Sequence, residues 1–197
     1  MAAPLDDAAL DTLFRTARTY NGFTDEPVTE ADIRAIYDLL KMGPTSANQQ
    51  PARFVWCLSE ESKERLAAAS SGTNGAKIRK APAAVVIGMD LAFNEQLPWL
   101  FPHAPTAKDW FPDPETRYKH AFRNSSLQGA YFIIAARALG FDTGPMSGFD
   151  HDKVDAAFFA DQPNVKSNFI STIGHGDPET IFGRLPRPEF AQFNTVI

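Results

Sequence analysis

The segment from Tyr118 to Leu139 limits what this chain can become. Phe122, Leu127, Ala130, Tyr131, Ile133, Ile134, Ala138 and Leu139 cover most of the circumference of a helix rather than one stripe of it. A helix that is apolar nearly all round has little surface to offer to water, so it belongs inside a larger packed body. The spacing predicts a helix over 118–139 that stops at Gly140, the residue type favoured just past a helix end. Its most apolar part, Ala130 to Phe141, is too short to cross a bilayer and is interrupted by Arg137, so the material around it should be protein.

The rest of the chain supplies that material. Residues 7–19 carry Leu10, Leu13, Phe14 and Ala17 at helical spacing behind Asp6 or Asp7 as N-cap. A second helix is expected from Thr29, with Asp32 reaching back from the third position, through Ile33, Ile36, Tyr37 and Leu40 to a stop at Gly43 and Pro44. "RFVWCL" (residues 53–58) has strand composition, "SEESKERLAAA" from Ser59 reads as a capped helix, and "AAVVIGM" (83–89) is a continuous apolar run. Such a run suits a central strand covered on both faces. Between about 93 and 117 five prolines punctuate Trp99, Phe101, Trp110 and Phe111, and neither period survives. This excursion is expected either to pack its aromatics on the core or to form a lid or substrate wall. A further helix from Asp150 to Ala160 and a strand from Asn168 to Gly174 complete an α+β chain of one domain over 1–197: a small central sheet flanked by helices, with one long helix inside.

Composition excludes several functions. The formal charge of -5 and the scattered Lys and Arg leave no basic stripe for a nucleic acid. The sole cysteine, Cys57, lies in an apolar run, so no disulfide can form within the chain. The opening residues place Asp6 and Asp7 ahead of any apolar run, which argues against a signal peptide, and a cytoplasmic protein with no membrane partner is expected. His103, His120, His151 and His175 show no metal-ligand spacing. "FRNSSLQGA" lacks the G-x-S-x-G context of a nucleophile elbow, and neither a P-loop nor a G-x-G-x-x-G after a strand is present.

Four segments, in order, carry a resemblance. They are "ARTYNGF" (17–23), "KMGPTSANQQPARFVW" (41–56), "NGAK" (74–77), and "DTGPMSGFD" (142–150) with the later "GRLPR" (183–187). Together they resemble the FMN-dependent nitroreductase family over the whole chain. With "LFPH" and "AFRNSS" they look like its malonic semialdehyde reductase subgroup, from the Rut pyrimidine-degradation pathway. The chain departs from the family pattern at Ala17 and Asn21, where basic residues are usual, and at Ala52, where a tryptophan is.

The resemblance implies a nitroreductase-like α+β homodimer with two FMN sites at the interface, each built from both chains, and with the long helix in the dimer core. It assigns Arg18, Thr19, Arg184 and Arg187 to the ribityl-phosphate end of FMN, and Asn21, Asn74 and Lys77 to the polar edge of the flavin ring. Pro145, Met146, Ser147 and Gly148 are implied to cross one flavin face, with a backbone N–H of Ser147 or Gly148 toward N5. Pro44, Thr45, Ser46 and Asn48 are implied to serve the partner's flavin. The implied chemistry is hydride transfer from NADH or NADPH through FMN to a small electrophile, with no side-chain nucleophile and no metal. For malonic semialdehyde, Arg53, Arg123 and Lys108 are the candidate cations for the substrate carboxylate. A general nitroreductase or quinone reductase, a non-catalytic flavin-binding protein and a cofactor-free hydrolase are the alternatives.

Overall fold

The computed structural model describes residues 3–197. In it strands β1 (Ala52–Cys57), β2 (Ala83–Asp90), β3 (Asp142–Met146) and β4 (Val165–Gly174) form one antiparallel sheet of order β1-β2-β4-β3. The helices are α1 (Asp7–Leu10), α2 (Glu30–Leu40), α3 (Glu60–Ala68), α4 (Gly72–Lys80), α5 (Leu97–Leu100), α6 (Pro114–Ala138), α7 (His151–Phe158) and α8 (Phe190–Phe193). No helix among the described residues is long and apolar enough to cross a membrane.

Every residue of β2 is buried, as the unbroken run from Ala83 predicts. Successive side chains of a strand point to opposite faces, so Val85 and Ile87 enter one core while Ala84 and Val86 enter another. The first core is closed by Ile33, Ile36 and Leu40 of α2 and by Phe132, Ala135 and Ala136 of α6. The second is closed by Leu66, Ile78 and Val154, from α3, α4 and α7, and by Cys57 at the end of β1. Burial pushes the Cys57 thiol up to about 11. Close contact between α6 and the sheet depends on Gly129, where an added Cβ would lie 2.3 Å from the Phe169 ring.

Several boundaries differ from expectation. The first helix ends in a wide turn at Asp11–Arg15 instead of reaching residue 19. The long helix begins at Pro114, four residues before Tyr118, because Asp113 caps it and proline is well suited to a first turn. α4 and β3 carry no adequate period: Gly72 and Gly75 interrupt the first, and Gly144 and Pro145 the second. Proline is tolerated in β3 because it is an edge strand. The excursion is made of short helical turns around its own cluster of Phe93, Leu97, Ala107 and Phe111.

The capping box of α2 is present, with Thr29 and Asp32 bonded reciprocally. After that helix stops, the 44–50 loop is pinned to α6. Ser46 N donates to Asn124 Oδ1 at 2.9 Å, and the Tyr131 hydroxyl donates to Pro44 O at 2.8 Å. Gln49, fully buried, accepts from Asn124 Nδ2 at 2.9 Å and faces His120 Nδ1 at 3.1 Å. Three non-glycine residues here hold left-handed backbone: Ala47 (φ 47°), Asn48 (49°) and Gln50 (42°). Each such conformation costs on the order of 1 kcal/mol and persists only where the surroundings impose it, as this network does.

Since the Gln49 oxygen is already engaged, its amide N–H must donate to a neutral His120. Burial, and then the charge of Arg123, lower the His120 pKa. A folded-state value below the unfolded one means that the unfolded chain takes up the proton more readily. The contribution is therefore complete above the unfolded value of about 6.5 and is lost as pH falls through the folded value. The melting temperature should drop between pH 7.5 and pH 5, and His120→Gln should show a smaller drop; parallel curves for the two proteins would remove His120 from this role.

Candidate functional site

Residues far apart in the sequence meet at the C-terminal end of α6. A cleft of about 560 Å³ is lined by Phe14, Ala17, Arg18 and Thr19 from the chain after α1, by Arg137 of α6, and by residues 182–185 and Arg187. No carboxylate lines it. Arg15, also at its edge, is paired with Asp7 and Asp11. The other four guanidiniums are each steadied by backbone carbonyls: Arg18 donates to Phe182 O, Arg137 to Leu13 O at 3.0 Å, Arg184 to Ala17 O at 3.1 Å, and Arg187 to Leu185 O at 3.1 Å. The cleft thus gathers four guanidiniums that take part in no ion pair among the described residues. Arg18, Thr19, Arg184 and Arg187 were legible in the sequence. Arg137 was read there only as an interruption of an apolar helix, which was the signal available.

A second group lies at the far end of β3. That strand begins beside the cleft, where Thr19 bridges Thr143 and Tyr20 N donates to Thr143 O at 3.3 Å. It passes through Pro145 and Met146 and delivers Ser147 and Gly148, both exposed, next to α4. Asn74 Nδ2 donates to Gly148 O at 3.0 Å, as does Ser71 N. A Cβ on Gly148 would lie 2.8 Å from Asn74 Nδ2, so glycine is what permits this approach. Lys77 stands one turn after Asn74 on α4. At roughly 3.3 Å per residue, β3 spans about 10 Å between Thr143 and Met146.

Two predicted groups are placed elsewhere. Asn21 does not line the cleft; its Nδ2 donates to Thr180 O at 2.9 Å and ties the N-terminal segment to the C-terminal one. Pro44, Thr45, Ser46 and Asn48 lie along the middle of α6: Ser46 is bonded to Asn124, about 20 Å from Arg137 along the helix axis, and Pro44 to Tyr131, about 9 Å from it. Asn48 Nδ2 donates to Leu100 O at 2.8 Å, joining that loop to the excursion. Of the three cations considered for a substrate carboxylate, Arg53 is engaged: it pairs with Asp90 at 2.5 Å and donates to Gln50 O and Ala52 O. Arg123 and Lys108 are exposed and take part in no ion pair among the described residues. No group of three or more His, Cys, Asp or Glu side chains among those residues could hold a metal ion.

The nitroreductase family model matches residues 14–175. A Caulobacter sp. (strain K31) protein described as an NADH dehydrogenase/NAD(P)H nitroreductase is 57% identical over 99% of this chain and 100% of its own. A Stenotrophomonas maltophilia (strain R551-3) protein of the same description is 57% identical over 96% of each. Among solved structures, a Bacillus subtilis nitroreductase-type protein superposes with a TM-score of 0.85 at 23% identity, covering 98% of this chain and 100% of the other. One from Exiguobacterium sibiricum, solved with FMN, superposes at 0.83 and 19% over the full length of both. Family match, near relatives and superposed folds agree, and the chain belongs to the nitroreductase family.

Proposed function

We propose that the protein is an FMN-dependent NAD(P)H oxidoreductase that works as a homodimer and reduces a small aldehyde, malonic semialdehyde, to 3-hydroxypropionate. The observation that carries the cofactor assignment is the cleft of four guanidiniums besides the paired Arg15, with no lining carboxylate, joined by β3 to a polar cradle at the far end of that strand. A phosphate monoester bonded to a flat, polar ring system matches both ends. Arg18, Arg184 and Arg187 would hold the phosphate with Thr19, Asn74 and Lys77 would serve the polar edge of the ring, and Pro145, Met146, Ser147 and Gly148 would line one of its faces. When bound, FMN supplies two-electron carriage between the nicotinamide and an electrophile. The ammonium of Lys77 would stabilise the negative charge of the reduced ring. The aldehyde carbon receives a hydride and its oxygen a proton from solvent, so substrate positioning is the chain's main task. Arg123, in the same helical turn as the Asn124 that holds the 44–48 loop, is the cation for the substrate carboxylate.

The homodimer is supported by what a single chain leaves apart and uncovered. The 44–48 loop is strained and polar but sits against α6 between about 9 and 20 Å along its axis from Arg137, and none of its residues lines the cleft. Tyr118, Phe122 and Leu127 remain exposed on α6, as do Phe182, Leu185, Phe190 and Phe193 in the C-terminal segment. A second copy covers these faces and brings its own loop to the first chain's flavin. The relatives' descriptions favour a broader reading, a general nitroreductase.

Three measurements test this. Purified protein reconstituted with FMN should oxidise NADH or NADPH with malonic semialdehyde more efficiently than with a nitroaromatic or a quinone; a preference for either of the latter would replace the aldehyde assignment with the broader one, and no turnover with any acceptor would leave a flavin-binding protein. Lys77→Ala should slow flavin reduction in stopped-flow by roughly 100-fold while FMN affinity changes little; an unchanged rate would remove the lysine from the chemistry. A mixed dimer of Asn48→Ala chains and Arg184→Ala/Arg187→Ala chains should recover one intact FMN site where either homodimer binds FMN weakly. Failure to recover it would place the loop and cleft in the same chain's site.

A further inference from the structure

Arg137 is the member of the cleft that sequence patterns do not explain. It comes from the last turn of α6, a segment otherwise occupied by Ile133, Ile134, Ala135, Ala136 and Ala138. Its terminal nitrogen donates to Leu13 O at 3.0 Å, but its Nε is buried and has no hydrogen-bond partner among the described residues. A buried donor of a charged group without a partner costs about 1–3 kcal/mol or more, so its presence requires a reason. Burial lowers the Arg137 pKa, which Asp142 opposes in part and Arg184 reinforces to a smaller extent. Asp142 itself is committed to Gly176 N at 2.9 Å, and it does not line the cleft.

These observations have a common resolution if a dianion enters the cleft. It would satisfy an unpaired guanidinium donor and gather Arg137, Arg18, Arg184 and Arg187 around one ligand. Arg184 and Arg187 are exposed and lie in the C-terminal segment, whereas Arg18 and Arg137 are half-buried, and Arg137 is carried on a long helix packed against the sheet. A guanidinium fixed on a rigid element loses less freedom on binding than a surface one, and it engages phosphate in a defined orientation.

We infer that Arg137 is a fourth phosphate ligand, the one guanidinium of the four carried on a long helix, and that it sets the preference of the site for a phosphorylated flavin over an unphosphorylated one. This rests on the reading of the cleft as the FMN phosphate site. Arg137→Met keeps most of the side-chain volume and removes the charge. Titration of the apoprotein, followed by quenching of flavin fluorescence, should show FMN affinity reduced by roughly 10- to 100-fold, the worth of a hydrogen bond to a charged group. Riboflavin affinity should remain within about twofold of the parent. Inorganic phosphate should raise the melting temperature of the parent apoprotein and raise that of the variant less. If the variant fails to fold, Arg137→Gln, which can keep the bond to Leu13 O, takes its place with the same expected loss of preference.

The outcomes separate cleanly. A parent protein that binds FMN and riboflavin equally well overturns the phosphate reading and this inference with it. A parent that prefers FMN and a variant that prefers it to the same degree overturns the role of Arg137 alone. Equal losses for FMN and riboflavin make Arg137 a structural residue and overturn its role as a ligand.

Discussion

Burial of β2 on both faces governs the molecule. A strand whose alternate residues feed two separate cores must have a helical layer on each side, and neither layer can be removed without exposing half of the strand. α6 is the main helix of one layer. Because Gly129 lets it sit against Phe169, and because Phe132 meets Trp56 edge-on at 5.7 Å, its axial position over the sheet is fixed by packing. Asn124 near its middle and Arg137 near its end are therefore held by one rigid rod. The first pins the strained 44–50 loop and the second lines the cleft, so the placement of both functional ends follows from a hydrophobic constraint at the sheet.

Much of this was legible in the sequence because the relevant signals are local. The uninterrupted run from Ala83, the Thr29 and Asp32 capping box, and the apolar circumference of 118–139 each announce their element through neighbours within one or two turns. What escaped depends on contacts across the chain. β3 contains Gly144 and Pro145, which argue against a strand locally, yet it exists because β4 offers a partner on one side. α4 has two glycines in nine residues, and one of them, Gly75, is needed so that the helix can approach the carbonyl of Ala67. The left-handed backbone at Ala47 has no signature in an alanine at all.

Charge tells the same story. Along the sequence the arginines at 18, 137, 184 and 187 look dispersed, and the chain as a whole is acidic with a formal charge of -5. Folding brings the four to one cleft without a carboxylate. Such an arrangement is unfavourable for the chain alone, and a ligand that binds only the folded form contributes its own binding free energy to stability. The segments that bring the last two arginines into place are held by Thr180, which receives bonds from Asn21 and Gly22. Asn21 thus has a positional use in the fold that its resemblance to a ring-contacting base did not suggest.

Cys57 has a bearing on the proposed chemistry through what it withholds. Reduced flavins exposed to air pass electrons to oxygen and release hydrogen peroxide, which attacks thiolates in preference to thiols. The chain's sole cysteine is sealed in the second core, and its thiol is pushed up to about 11, so almost none of it is ionised at neutral pH. An enzyme of this kind, working without a saturating acceptor, would bathe its own site in oxidant. With its sulfur withdrawn into the core, the chain presents no cysteine thiolate to such an oxidant in the folded state.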